Sequence, residues 1–152
     1  LPKFALSTAN LFSVTQPGGT LFGLQHSNPV DTMRAYQGNA EQFGTTVDPL
    51  VGHRAGGINV FGGGVALYTE RGLIGAIGVS GDTSVTDHII AWKVRQRLNM
   101  DFVPAGVSPA SDDNMILDFK DGKSIGGWGH PSTSEEATQL ILSLRANLRS
   151  SQ

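Results

Sequence analysis

The stretch from Gly57 to Ile90 constrains the fold most. Eight of the 25 residues from Gly57 to Gly81 are glycine, against the ~7% usual in proteins. Glycine weakens a strand, so each one supplies either a backbone angle that other residues avoid or room for something to approach the chain. Apolar β-formers fill the gaps: Ile58, Val60 and Phe61, then Val65-Ala66-Leu67-Tyr68, then Leu73-Ile74 and Ala76-Ile77. The pattern predicts strands at about 57–61, 65–68 and 73–79. The last two are joined antiparallel by Thr69-Glu70-Arg71-Gly72, a four-residue hairpin loop with glycine at its end. A helix follows from Ser84, with Asp87 three positions later in the capping-box arrangement.

Projected at about 100° per residue, the helix from Ser84 to Leu98 carries two apolar stripes, Val85-Ile89-Trp92 and, nearly opposite, Ile90-Val94-Leu98. A single sheet covers one stripe, so the other needs a second partner, which predicts a homo-oligomer. Upstream, Phe4 to Val14 is spaced for a short helix that Gln16-Pro17-Gly18-Gly19 ends. Ser27 to Arg54 holds no strong period beyond a weak helix within Thr32 to Phe43, and reads as a loop-rich region over a binding face. Downstream, Met115 to Phe119 reads as a strand closed by the turn Lys120-Asp121-Gly122-Lys123. A last helix, capped by Ser132 with Glu135, carries Ala137, Leu140, Ile141, Leu144 and Leu148 on one face, with Arg145 and Arg149 suited to its C-terminal end. Hairpins with helices at the start, middle and end predict an α+β fold: an antiparallel β-sheet with flanking helices.

Composition narrows the function classes. A chain of 152 residues is one domain by length, 1–152. Charged residues make up 16% and the net charge is −2, so there is no basic footprint for nucleic acid. No apolar run approaches the ~20 residues of a membrane span, which predicts a soluble protein. The absence of cysteine excludes disulfides, thiolate metal sites and a cysteine nucleophile, and leaves the compartment open. Leu1 in place of Met predicts a processed or truncated N-terminus.

Candidate sites each have two readings. Gly62 to Gly64 either bares backbone to a flat ligand or marks a bulge or close strand crossing. Gly75 to Gly81 has the spacing G-x-x-G-x-x-G, which is not a dinucleotide fingerprint and lacks the Lys-Ser/Thr of a P-loop. Gly81 to Ser84, at a helix N-terminus, suits a carboxylate. His88 either reaches a pocket edge or faces solvent, and His53 stands beside Arg54, a partner for an anionic ligand. His130, between Gly129 and Pro131, is on a constrained loop, and His26 has no supporting neighbours; Tyr36 and Tyr68 are further possible ligands. No catalytic triad can be assembled, and Asp112-Asp113 either starts a turn or binds a cation weakly.

Gly63-Gly64-Val65-Ala66, Gly75 to Gly81 and Asp87 together resemble the core motif of the GlcG/HbpS family of haem-binding and haem-degrading domains. There a GG-x-P strand, a turn and a GAIGVSG strand lead into a helix carrying an acidic residue. Ala5, Thr8, Ala9 and Phe12 are similar to the family's A-x-x-T-A-x-x-F helix, and Gly126 to Pro131 is similar to the tails of some longer members. The resemblance is strongest over 5–98, leaving 99–152 as a C-terminal hairpin and helix. Two departures stand out: Ala66 replaces the proline, and the family's N-terminal helix and hairpin are absent before Ala5. The resemblance implies a profilin-like sheet, oligomers and haem, captured against the glycine strands for binding, degradation or sensing. His88 or His53 would be the iron ligand, Gly63 and Gly64 would face the ring, and Arg54 or Ser84 would lie near the propionates. The missing elements imply a bare sheet edge, to be covered by a partner polypeptide, a swapped neighbour or, the favoured option, the C-terminal helix. Two other readings stay open: a structural oligomerisation module without cofactor, and a small enzyme acting on an organic acid.

Overall fold

The hairpin forms where the glycine pattern predicts it. In the computed structural model, which describes residues 4–148, strand β1 (Gly64–Thr69) pairs antiparallel with β2 (Gly72–Gly78), Gly64 opposite Gly78 and Thr69 opposite Gly72. A bulge falls between Leu67 and Tyr68. Leu1 and Arg149 lie outside the described residues. The inner edge of β1 is met by the chain that follows the long helix: the Tyr68 N–H donates to the Met100 carbonyl at 2.7 Å, and Tyr68 bridges to Asp101. The outer edge of β2 has no strand partner among the described residues.

Helix α1 (Thr32–Ala35) is a single turn capped by Asp31, which is all that forms of the weak helix expected within 32–43. Helix α2 (Ser84–Arg97) starts one residue earlier in its capping than the sequence suggests. Thr83 is the N-cap, its hydroxyl accepting from the Thr86 N–H, and Asp87 accepts from the Asp82 N–H at 3.1 Å instead of closing a box with Ser84. Its stripe Val85-Ile89-Trp92 is buried with Ala9, Met115, Ile141 and Leu144 in the main core. The second stripe stays largely outside: Ile90 is 43% and Leu98 51% exposed, and Val94 is half-buried.

The C-terminal part departs further. Strand β3 (Phe102–Val103) follows α2. Met115 to Asp118 forms no strand, and only β4 (Phe119–Lys120) and β5 (Lys123–Ser124) form the expected hairpin, turning at Asp121 (φ +51°) and Gly122 (φ +77°). Helix α3 (Glu135–Ser143) is capped by Ser134 rather than Ser132 and ends where Leu144 turns extended. Leu148, expected on the helix face, instead lies in β6 (Asn147–Leu148), parallel to β3. Through Ile141 and Leu144, α3 packs into the main core beside α2, so the C-terminal helix does not cover the bare sheet edge.

The N-terminal helix is replaced by two 3-10 turns, Thr8–Leu11 and Ser13–Thr15, because Asn10 reaches back to accept the Ser7 N–H at 3.0 Å and tightens the turn. The strand expected at 57–61 is not paired: Gly56 (φ +73°) and Gly57 (φ +90°) break its entry, and the Phe61 N–H bonds back to Asn59. The fold is α+β, with helices on antiparallel hairpins, but the sheet is divided into three two-stranded ladders among the described residues, one of them parallel. No described helix is long and apolar enough to cross a membrane.

Candidate functional site

The glycine run before β1 lies against the start of α2. A Cβ on Gly62 would sit 2.2 Å from the Ser84 carbonyl oxygen, one on Gly63 (φ +112°) 2.1 Å from the Val79 oxygen, and one on Gly64 2.5 Å from Thr8 Cγ2. These glycines exist because the chain packs on itself, so the close-crossing reading holds, and Gly63 and Gly64 do not bare backbone to a flat ligand. Ser84 completes the junction. Its Oγ accepts the Gly62 N–H at 2.6 Å and lies 2.7 Å from His130 Nε2. His130 Nδ1 is 2.7 Å from the Pro131 carbonyl, which only accepts, so Nδ1 carries the proton and the Ser84 hydroxyl donates to Nε2. Burial lowers the His130 pKa and keeps the ring neutral. With its hydroxyl committed to both neighbours, Ser84 is not left for a propionate.

His88 is fully buried, neither at a pocket edge nor facing solvent. Asn114 donates its amide Nδ2 to the Ile141 carbonyl at 2.8 Å, and His88 Nε2 lies 3.2 Å from both Asn114 Oδ1 and the Met115 backbone nitrogen. His88 Nδ1 has no hydrogen-bond partner among the described residues. Burial pushes the His88 pKa down to about 4, so the ring is neutral near pH 7. Two turns on, Arg95 holds Asp113 through two bonds of 2.7 and 2.8 Å, donates to the Ala66 carbonyl at 3.1 Å, and stands 4.3 Å over the Trp92 ring. Asp113 is thus a core ion-pair partner, and Asp112 accepts from the Asn114 N–H and from Ser108, so neither is a loop cation site. No group of three His, Cys, Asp or Glu is arranged to hold a metal among the described residues.

His53 and Arg54 are exposed, on a segment whose hydrogen bonds close on itself, Asp31 N–H to Ala55 O and Gly57 N–H to Asn28 O. The Arg34 guanidinium lies 3.0 Å from His53 Nδ1. A guanidinium only donates, so Nδ1 presents its lone pair to Arg34 and the proton sits on Nε2, leaving no free ring lone pair for iron. The structure brings Gly63, Gly64, Ser84 and His88 together at one buried junction and does not bring His53 or Arg54 to it.

β2 is the opposite case. Gly75 and Gly78 have ordinary strand angles, and a Cβ on either would meet nothing within 4 Å. Leu73 is 64% and Ile74 55% exposed. The Val79 N–H donates to the Gly63 carbonyl, which sets the ladder phase so that 75 and 77 bond toward β1 while the backbone of 76 and 78 faces the open edge; the bulge interrupts the alternation at 74. The result is an uncharged, side-chain-poor apolar surface. The spacing G-x-x-G-x-x-G marked it in the sequence, without showing which glycines face outward.

Residues 3–96, more than half the chain, match the family described as haem degrading protein HbpS-like. The chain belongs to the HbpS-like family. No curated protein and no solved structure matches it. The HbpS-like match contains both glycine sets and nearly all of α2, while Asp113, Asn114 and His130, which lock the buried junction, lie beyond it.

Proposed function

We propose that this HbpS-like chain binds haem as a flat apolar ligand against the exposed strand β2. The observation that carries the reading is Gly75 and Gly78. Glycine inside a strand costs about 0.5–1 kcal/mol relative to alanine, and nothing within the chain needs it at these two positions. Three residues apart in one strand, their Cβ positions point to opposite faces, so β2 is bare on both sides; a flat ligand laid against either side gives a glycine there a reason, and the exposed Leu73 and Ile74 supply apolar contact. Membership of a family described by haem degradation makes a tetrapyrrole the first candidate. Capture is the activity such a face supports.

Neither expected iron ligand is preformed: His88 is enclosed in the core, and His53 faces Arg34 with its lone pair. The expected complex is therefore weakly ligated and held mainly by apolar contact. A haemin titration followed by visible spectroscopy tests this. A saturable Soret change at one haem per chain is expected; a linear response with no saturation overturns the reading. A spectrum altered by His53→Ala and not by His88→Asn assigns the iron to His53, with Arg54 next to it as the propionate partner.

A second reading, self-association, is favoured by Ile90 and Leu98 on the outer stripe of α2 and by the unpaired β2 edge. Light scattering at dilute concentration tests it: a mass above 16 kDa that falls on Leu98→Glu supports a homo-oligomer, and a constant monomer mass removes it.

A further inference from the structure

A concavity lies away from β2, between the N-terminal turn segment and the β4–β5 hairpin. It is an open groove of about 680 Å³, within the ~300–1,000 Å³ range of small-molecule sites. Phe12 and Phe119, their ring centroids 5.9 Å apart, form one wall, with Pro17 and Pro131 beside them. Gly18 (φ +87°), Gly122 (φ +77°) and Gly127 (φ +78°) line it, and a Cβ at any of them would meet nothing within 4 Å. The rim is therefore kept free of side chains by residues whose backbone angles favour glycine.

Of the polar side chains in the lining, Ser13 is committed to the Gly129 carbonyl and the Gln16 amide nitrogen to the Phe12 carbonyl, with Thr20, Lys123 and Ser124 beside them. Lys123 is the one charged residue in the lining, and it has no ion-pair partner among the described residues. Ser124 accepts the Gly129 N–H at 2.9 Å, and its hydroxyl hydrogen has no acceptor among the described residues, so it is available to donate. No carboxylate lines the groove to compete. An ammonium and a hydroxyl donor beside an aromatic wall are complementary to a ring system bearing one negative charge.

We propose that this groove binds an aromatic monocarboxylate, with the ring against Phe12 and Phe119 and the carboxylate toward Lys123 and Ser124. The site is independent of the haem reading. The test follows 2-naphthoate binding by amide chemical shifts and calorimetry, with 2-naphthylmethanol as the uncharged control. Saturable shifts confined to 12–20 and 119–131 are expected. Lys123→Gln, on an exposed side chain, should weaken naphthoate about five- to tenfold and leave the alcohol unchanged. Thr20→Trp, which puts a large side chain on the lining, should block both. The proposal is overturned by an absence of shifts in the groove, by equal naphthoate affinity in wild type and Lys123→Gln, or by shifts that fall on β2. Haemin-loaded protein should bind naphthoate as the free protein does; mutual displacement would make the groove the haem site and overturn the assignment to a separate acid.

Discussion

Gly62 to Gly64 and Gly75 to Gly78 belong to the same hairpin and look alike in the sequence, yet their surroundings are opposite. The first set is pressed against Val79, Ser84 and Thr8, where a Cβ would come within 2.1–2.5 Å of protein atoms. The second set, on the paired strand, faces open space. The first set is glycine because the chain needs contact with itself. The second has no such cause, which is why the ligand face is assigned to β2. A glycine-rich signal thus locates a crowded place or an empty one, and only the tertiary neighbours say which.

The comparison is broken most severely at Gly63. Gly63→Val combines a φ of +112° with a collision against the Val79 carbonyl, so a loss of more than ~3 kcal/mol is expected, read as loss of a cooperative melt. A wild-type melting curve would remove the crowded half of the contrast. Next comes the ion pair that ties α2 to the 112–115 segment beneath the same junction. Asp113→Ala leaves Arg95 buried and unpaired, at an expected cost of ~3–5 kcal/mol in urea unfolding. A cost under 1 kcal/mol would show Arg95 finding water or another partner.

Proton linkage gives the third test. The His88 pKa is about 4 in the folded chain, against 6.5 for the free residue, so the unfolded chain binds the extra proton between these values. Stability is full above pH 6.5 and falls as pH drops toward 4, by ~3 kcal/mol at ~1.4 kcal/mol per pKa unit. His130, also lowered by burial, acts in the same direction. Urea midpoints at pH 7 and 4.5 should converge in His88→Gln relative to wild type; an equal fall in both proteins contradicts the buried, neutral His88. The smallest effect is expected at the open set: Gly75→Ala should change stability by no more than ~0.5–1 kcal/mol, in the stabilising direction. A large loss there would mean β2 is covered.

The hairpin, its turn and the core stripe Val85-Ile89-Trp92 were legible because each rests on local periodicity and turn chemistry. The capping of α2 was displaced by one residue because Thr83 and Ser84 are both N-cap residue types and the tertiary partners decide between them: Ser84 went to Gly62 and His130, and Thr83 took the cap. The site was less legible than the fold. Ser84, His88 and the glycine run were each read as ligand candidates, but in the fold they meet in a packed junction whose other partners, Asn114 and His130, come from 26 and 46 residues further along the chain. No short-range pattern carries such contacts, so buried structural groups looked like exposed ligands. The β2 face was hidden for the converse reason: its defining property is the absence of neighbours.

The account turns on β2 being a ligand face and the Gly62–Gly64 run being a packing junction. The most direct measurement is a haemin titration of Gly75→Val, in which the added side chain enters open space in a strand conformation that valine adopts readily. The account predicts wild-type melting together with a loss of at least about tenfold in haemin affinity, roughly 1.4 kcal/mol. Unchanged haemin affinity in a folded Gly75→Val protein that binds one haem in its wild-type form would contradict it.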